Sequence, residues 1–400
     1  MPRALAVFAD RVAISSDSLG HVMTRTTFGG VAFLLVTLGV ACGGEDTTTD
    51  TTGTGTGTGS GAGTATGTGT GTGTGSGTGT GSGTASGTAT GTGVGGGGAA
   101  GGGGGEGGSG GGAAAEIVRF IAMGDGGEGN GTQLQVAQAV KAECDARGGC
   151  MFALYLGDNI YNVGVDSAMD SQFQSKFEVP YMDLNFPFYI TLGNHDYGGG
   201  GAGFEFYKGQ YQVDYTQYST KWHLPAHYYT ESIALPGTTV DVFSLDTNSI
   251  MYTGASSQKS WLQGATAAST ATWKIAFGHH TYISNGQHGN AGAYEGFPGI
   301  PIISGGNVKD FMDDAICGQV DVYLCGHDHN RQWLQPTCGT EFIVSGTAAK
   351  DTDLDPKGTP TFFETDQLGG FLLGEIAGNT FTGWFYDENG NMEFTRTVTK

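Results

Sequence analysis

Phe152-Ala153-Leu154-Tyr155-Leu156-Gly157-Asp158-Asn159-Ile160-Tyr161 passes from five apolar residues through one glycine into a carboxylate, an amide and a phenol. Five to seven apolar residues are the length of a strand buried on both faces, and a glycine just beyond it lets the backbone turn sharply and approach a ligand closely. The pattern recurs. Residues 117–123 lead into Gly124-Asp125-Gly126-Gly127, 188–192 into Gly193-Asn194-His195-Asp196, 273–277 into Gly278-His279-His280, and 320–325 into Gly326-His327-Asp328-His329-Asn330. Residues 134–146, between the first two runs, have helical spacing, so the order is βαβ and the sheet is predicted to be parallel. In such sheets ligands bind beyond the carboxyl ends of the strands, where tips scattered in sequence converge. These tips offer carboxylate and amide oxygens, a phenol and imidazoles without thiolate, a donor set for iron, manganese or zinc. One Gly-Asp is an ordinary turn and one histidine an ordinary core residue; five tips in order predict a two-metal site.

The 400 residues carry 17 basic and 38 acidic side chains, a net charge of −21, with no Lys/Arg cluster. That balance excludes nucleic acid as a structural partner. A phosphate-bearing substrate would need a local positive centre, which bound metal ions supply. Of the 76 glycines, 34 fall within residues 43–112, and Thr and Ser fill most of the remainder. So little apolar surface cannot offset the entropy of ordering, and residues 43–115 are predicted to form a disordered Gly/Thr-rich tether. As a flexible coil, its 43–112 portion would have an end-to-end distance of about 45 Å. Residues 116–400 are the expected catalytic domain.

Residues 1–42 read as a signal segment. Positions 28–41 are uncharged and mostly apolar, preceded by Arg25 and followed by Cys42, which is short for a bilayer span and has the parts of a secretory signal, with Met23 as the expected true start. Leu38-Gly39-Val40-Ala41-Cys42 resembles a bacterial lipobox, though Gly39 stands where a larger aliphatic residue is usual. The resemblance implies an exported protein attached to the cell envelope through a lipidated Cys42, with plain secretion as the alternative. In an exported domain Cys144 can pair with Cys150 and Cys317 with Cys338, while Cys325, inside an apolar run, is expected to be a buried free thiol.

The ordered tips resemble the metallophosphoesterase superfamily, and most closely the purple acid phosphatases of the small tartrate-resistant type. Trp222-His223-Leu224-Pro225 with Tyr228-Tyr229, and residues 240–247, are also similar to that family, so the likeness covers about residues 116–400. It implies a four-layer α/β/β/α sandwich with a dimetal site at the strand C-terminal ends. It places Asp125, Asp158, Tyr161 and His329 on one metal, and Asp158, Asn194, His279 and His327 on the other. Tyr161 would favour Fe(III), beside a divalent Fe, Zn or Mn. Such a pair outweighs Asp125, Asp158 and a Tyr161 phenolate by about two charges, enough to attract phosphate within an acidic protein. By the same resemblance a metal-bound hydroxide would attack phosphomonoesters, small-molecule or protein, at acidic pH.

His195 would then protonate the leaving alkoxide, with Asp196 either orienting it or capping a turn, and His288 would share that work from a substrate-pocket position. The residues alone leave His279 and His280 both open as ligand; the resemblance selects His279. Gly126 and Thr281 depart from the aromatic and the proline usual at those places, which bears on substrate preference. Residues 198–203, nearly all glycine, are read as a mobile loop beside His195, either a substrate gate or a spacer. The second sheet is expected to hold residues 228–235, 240–245 and 371–394. Two rival functions keep the fold: a phosphodiesterase or nucleotide pyrophosphatase of the same superfamily, and a non-catalytic metal-binding surface lipoprotein.

Overall fold

A computed structural model describes residues 115–296 and 301–400; the signal segment, the Cys42 lipobox and all but the last residue of the tether lie outside them. The strands, in chain order, are β1 (Ile117–Met123), β2 (Phe152–Tyr155), β3 (Phe188–Ile190), β4 (Trp222–His223), β5 (Tyr229–Leu235), β6 (Thr238–Ser244), β7 (Trp273–Phe277), β8 (Val322–Cys325), β9 (Arg331–Leu334), β10 (Glu341–Ser345), β11 (Thr361–Thr365), β12 (Gly370–Ala377), β13 (Thr380–Asp387) and β14 (Met392–Thr399). They form two seven-stranded sheets, ordered β14-β13-β12-β1-β2-β3-β4 and β11-β9-β10-β8-β7-β6-β5. β1 to β4 run parallel, as do β6, β7, β8 and β10.

The helices are α1 (Gly131–Ala146), α2 (Tyr207–Tyr215), α3 (Thr247–Thr253), α4 (Ser256–Ala268), the short α5 (Pro301–Ser304) and α6 (Gly306–Ala315). Strand periodicity assigns their place. On β1, Val118, Phe120 and Ala122 face β7, β8 and β10 across the space between the sheets, while Ile121 and Met123 face Val136 and Val140 of α1. On the other side, Phe243, Ala276 and Tyr323 pack against Ile250, Leu262, Val308 and Phe311 of α3, α4 and α6. The order of layers is therefore α/β/β/α, as expected. α1 starts where Asn130 Oδ1 accepts from the Gln133 backbone N–H at 2.9 Å and Gln133 Oε1 accepts from the Gly129 N–H at 2.7 Å, a reciprocal cap. Both of the disulfides that the sequence allows form, Cys144–Cys150 and Cys317–Cys338, and Cys325 is a buried free thiol.

One expectation fails. Residues 371–394 belong to the first sheet, because β12 pairs antiparallel with β1 from Ile117↔Ala377 to Ala122↔Leu372. β1 has only β2 on its other edge, and its fully buried N–H and C=O groups need a second partner. The C-terminal meander supplies it, turning at Gly378-Asn379 and again through Asn389-Gly390.

Arg331, fully buried on β9 of the second sheet, donates from Nε and Nη2 to Glu393 on β14 of the first at 2.8 and 2.9 Å, and from Nη1 to Thr347 Oγ1 and the Gly369 carbonyl. Removing one partner of such a pair strands the other charge. Arg331→Met should lower unfolding free energy in urea by about 3 kcal/mol; a change below about 0.5 kcal/mol would show that the clamp does not hold the sheets.

Candidate metal centre

All five glycine-marked tips emerge at the carboxyl ends of β1, β2, β3, β7 and β8, so the two sheets deliver ligand-type side chains to one edge. The turns there are tight. Asp125, Asp158 and His327 all have φ in the left-handed region, at 60°, 50° and 71°, which non-glycine residues adopt only at a cost. Two glycines are needed for proximity rather than for φ: a Cβ at Gly193 would lie 2.1 Å from Asp158 Oδ1, and one at Gly326 would lie 2.3 Å from Asp125 Oδ2. Any side chain at either place would push a carboxylate out of the cluster.

The seven ligand candidates fall into two contact groups. In one, Tyr161 Oη lies 2.9 Å from Asp125 Oδ1 and 3.1 Å from His329 Nε2, and His329 Nε2 lies 3.4 Å from Asp125 Oδ1. In the other, His279 Nε2 lies 2.8 Å from Asn194 Oδ1, 3.2 Å from His327 Nδ1 and 3.4 Å from Asp158 Oδ2. Asp125, Asp158 and His279 bring ligand atoms within 4.8 Å of one another, all buried.

Hydrogen-bond donors are scarce among these atoms. His279 Nδ1 faces the Leu156 carbonyl at 2.9 Å and must donate to it, so Nε2 of the neutral ring carries a lone pair. That lone pair points at Asn194 Oδ1, itself an acceptor because Asn194 Nδ2 donates to the Gly201 carbonyl at 2.8 Å. In the other group the Tyr161 hydroxyl donates to Asp125 Oδ1 and meets His329 Nε2, which donates or accepts according to its tautomer. Either protons or metal cations must fill the gaps. Atoms each about 2.1 Å from one ion and at right angles around it lie about 3 Å apart, so the observed separations suit coordination, and the mixed O/N donors suit iron, zinc or manganese.

The charges respond accordingly. Burial works against a charged His279, yet Asp158 raises its pKa to about 9. Burial would raise Asp158, yet the charges of His279 and His195 carry it far below the usual carboxylate range. Burial, reinforced by Asp125 and Asp158, pushes the Tyr161 phenol well up, so without a metal it stays protonated. His280 is set apart: its Nδ1 bonds Thr247 Oγ1 at 2.8 Å, and burial with the neighbouring His279 charge keeps it neutral.

The two catalytic candidates border the cluster. The His195 ring lies 4.5 Å from that of Tyr161; its backbone N–H donates to Asp158 Oδ1 at 2.8 Å and its Nδ1 sits 2.8 Å from the Asn162 carbonyl. Gly201, in the glycine-rich loop, lies so near that a Cβ there would come within 2.6 Å of His195 Nε2. His288 stacks on His327 with ring centroids 3.9 Å apart and bonds Glu295 through Nδ1.

Asp196 makes no bond to the His195 ring. Fully buried, it accepts from the backbone N–H groups of Asn159, Ile160 and Gly193 and from the side chains of Asn159 and Gln212, tying the Asp158 loop to the Asn194 loop. Burial and the charge of Asp158 push its pKa up to about 7 against the pull of those donors. Several contributors escaped sequence reasoning. Asp328 accepts from Ser284 Oγ and the His288 and Gly289 N–H groups, fixing the His288 loop, and its place between two candidate ligands was the available signal. Glu295 had none. Nor did the sixth tip, residues 346–350 after β10, which ends without a metal-type side chain.

The sequence model of the calcineurin-like phosphoesterase family matches residues 118–331. The chain is 30% identical over 322 residues to tartrate-resistant acid phosphatase type 5 of Mus musculus, covering 72% of this chain and 91% of that one. It is 29% identical over 315 residues to the Homo sapiens protein of the same name, covering 70% and 90%, and 29% over 304 residues to purple acid phosphatase 4 of Arabidopsis thaliana, covering 68% and 81%. Two solved structures share the fold: GAP50, the anchor in the inner membrane complex of Plasmodium, with TM-score 0.56, 19% identity and coverage of 71% and 89%, and purple acid phosphatase PPD1 from yellow lupin seeds, with TM-score 0.52, 15% identity and coverage of 71% and 54%.

With its pKa at about 9, His279 holds a proton at pH 7 in the metal-free protein, and a cation binding Nε2 must displace it. Calorimetry in buffers of different ionisation enthalpy should report at least one proton released per protein on divalent-ion uptake at pH 7, with the His279 contribution fading above about pH 9. Uptake at pH 7 without proton release would contradict His279 as a ligand.

Proposed function

The chain belongs to the calcineurin-like phosphoesterase family, in its purple acid phosphatase branch, and from that premise we propose that it hydrolyses phosphomonoesters at acidic pH with an Fe(III) ion and a divalent Fe, Zn or Mn. What supports this most is the pair of contact groups of oxygen and nitrogen atoms 2.8 to 3.4 Å apart, one of them built on Tyr161. Asp125, Tyr161 and His329 would hold Fe(III); Asn194, His279 and His327 would hold the divalent ion; Asp158 would bridge. When bound, the ions polarise phosphoryl oxygens and acidify water, so that a nucleophile persists below neutral pH.

The protein's own groups do the rest. The Asn162 carbonyl accepts a hydrogen bond from His195 Nδ1–H and fixes the ring, which leaves Nε2 to carry the proton given to the leaving alkoxide. Gly201 lies against that nitrogen, close enough that a Cβ there would come within 2.6 Å of it, so the glycine-rich loop forms one wall beside His195. His288, held through Nδ1 by Glu295, presents its other nitrogen to the phosphate or the departing oxygen. The substrate is a small-molecule or protein phosphomonoester. Export through residues 1–42 and anchorage through lipidated Cys42 on the 43–115 tether are part of the same proposal and rest on the lipobox-like sequence. Mass spectrometry should find a native N-terminus at acylated Cys42; an unmodified cysteine behind an intact leader would contradict it.

Asp158→Ala should lose both metals and all turnover; an active variant would refute the mechanism. His195→Ala should lower kcat for alkyl phosphates on the order of 10²- to 10⁴-fold. It should affect p-nitrophenyl phosphate much less, since that leaving group departs without a proton. Equal losses on both substrates would remove His195 as the general acid.

A further inference from the structure

The sixth strand tip ends at Lys350, whose Nζ lies 4.2 Å from the centroid of the Tyr161 ring. It is pinned there by Glu128, from the loop after β1, whose Oε1 lies 3.0 Å from Nζ. The loop carrying Lys350 is fixed independently: the Ala348 N–H donates to the Gly124 carbonyl at 3.1 Å, and the Ala349 carbonyl accepts from Asn130 Nδ2 at 2.9 Å. A second cation, Lys176, donates to the Tyr161 carbonyl. In a chain with 17 basic against 38 acidic side chains, two lysines on one tyrosine run against the general balance. Neither lysine reaches the ligand atoms, so neither is a ligand or a catalytic group. What Lys350 does reach is the π face of the residue whose hydroxyl sits between Asp125 and His329.

We propose that Lys350 is a positioning residue acting through Tyr161: its ammonium, held by Glu128, fixes the ring and lowers the energy of its π electrons, so that Tyr161 donates less charge to the metal it binds. This rests on the proposal that Tyr161 binds Fe(III). A cation above an aromatic face is attracted by the ring quadrupole, and its Coulomb effect falls with distance, so it stabilises the ring electrons more than those of an ion beyond the hydroxyl. Two consequences follow for the loaded protein. The ferric ion keeps more of its positive charge for phosphate, and the tyrosine-to-iron charge-transfer band lies at higher energy than Tyr161 alone would give. Glu128 works in the opposite sense by partly cancelling the ammonium.

The visible spectra of the iron-loaded wild type, Lys350→Met, Lys350→Arg, Glu128→Gln and Tyr161→Phe proteins test this. The wild type should show a band that Tyr161→Phe abolishes. Lys350→Met should move that band to longer wavelength by roughly 10 nm, Lys350→Arg should leave it nearly in place, and Glu128→Gln should move it to shorter wavelength. Opposite shifts from the two halves of one ion pair are not what a loosened loop would give. No visible band, or one that survives in Tyr161→Phe, overturns iron–tyrosine ligation and this proposal with it. A band that depends on Tyr161 but is unmoved in Lys350→Met, moves equally in Lys350→Arg, or shifts the same way in Glu128→Gln overturns the role of Lys350 alone.

Discussion

Everything at the functional edge of this protein answers to the crowding of ligand-type oxygen and nitrogen atoms into two small buried groups. Tyr161, Asp125 and His329 form one cluster of oxygen and nitrogen atoms, and Asp158, Asn194, His279 and His327 form another, with separations of 2.8 to 3.4 Å. Buried away from water, such atoms need protons or a metal cation among them. The rest of the scaffold holds them in that arrangement. β1, β2 and β3 deliver the carboxylates, the phenol and the amide from one sheet, β7 and β8 deliver the imidazoles from the other, and the core between the sheets keeps both edges level.

The cost appears in the backbone. Asp125, Asp158 and His327 sit at positive φ, and Gly193 and Gly326 press against neighbouring carboxylates more closely than any side chain would allow. Compensation comes from groups that never touch a substrate. Asp196 gathers four N–H donors from the loops bearing Asp158 and Asn194 and a fifth from Gln212 on α2, and Asp328 gathers the loop bearing His288. Strain retained at a site and offset by buried hydrogen bonds around it is what preorganisation for cations requires.

Much of this was legible in the residues because the fold repeats one local rule: an apolar run, a glycine, then a ligand. That rule marked the five tips, and the family likeness chose the seven ligand candidates and His195 among their residues and implied the α/β/β/α layering. It could not place residues 371–394, since alternation predicts strands but says nothing about which open edge they will close; the unpaired edge of β1 decided that. Nor could it show Lys350 or Glu295, which act from loops whose nearness to Tyr161 and His288 arises only when distant segments fold together. Asp196 was noticed for its place beside His195, but its partners at residues 159, 160 and 212 needed the tertiary structure.

The central claim, a phosphomonoesterase working at acidic pH, is tested most directly by the purified full-length protein acting on p-nitrophenyl phosphate beside bis-p-nitrophenyl phosphate from acidic to alkaline pH. Both substrates release the same chromophore, so the comparison isolates the second ester. Fast monoester cleavage peaking below neutrality is the predicted result. Preference for the diester with a neutral or alkaline optimum, or no turnover by metal-loaded protein, would contradict it.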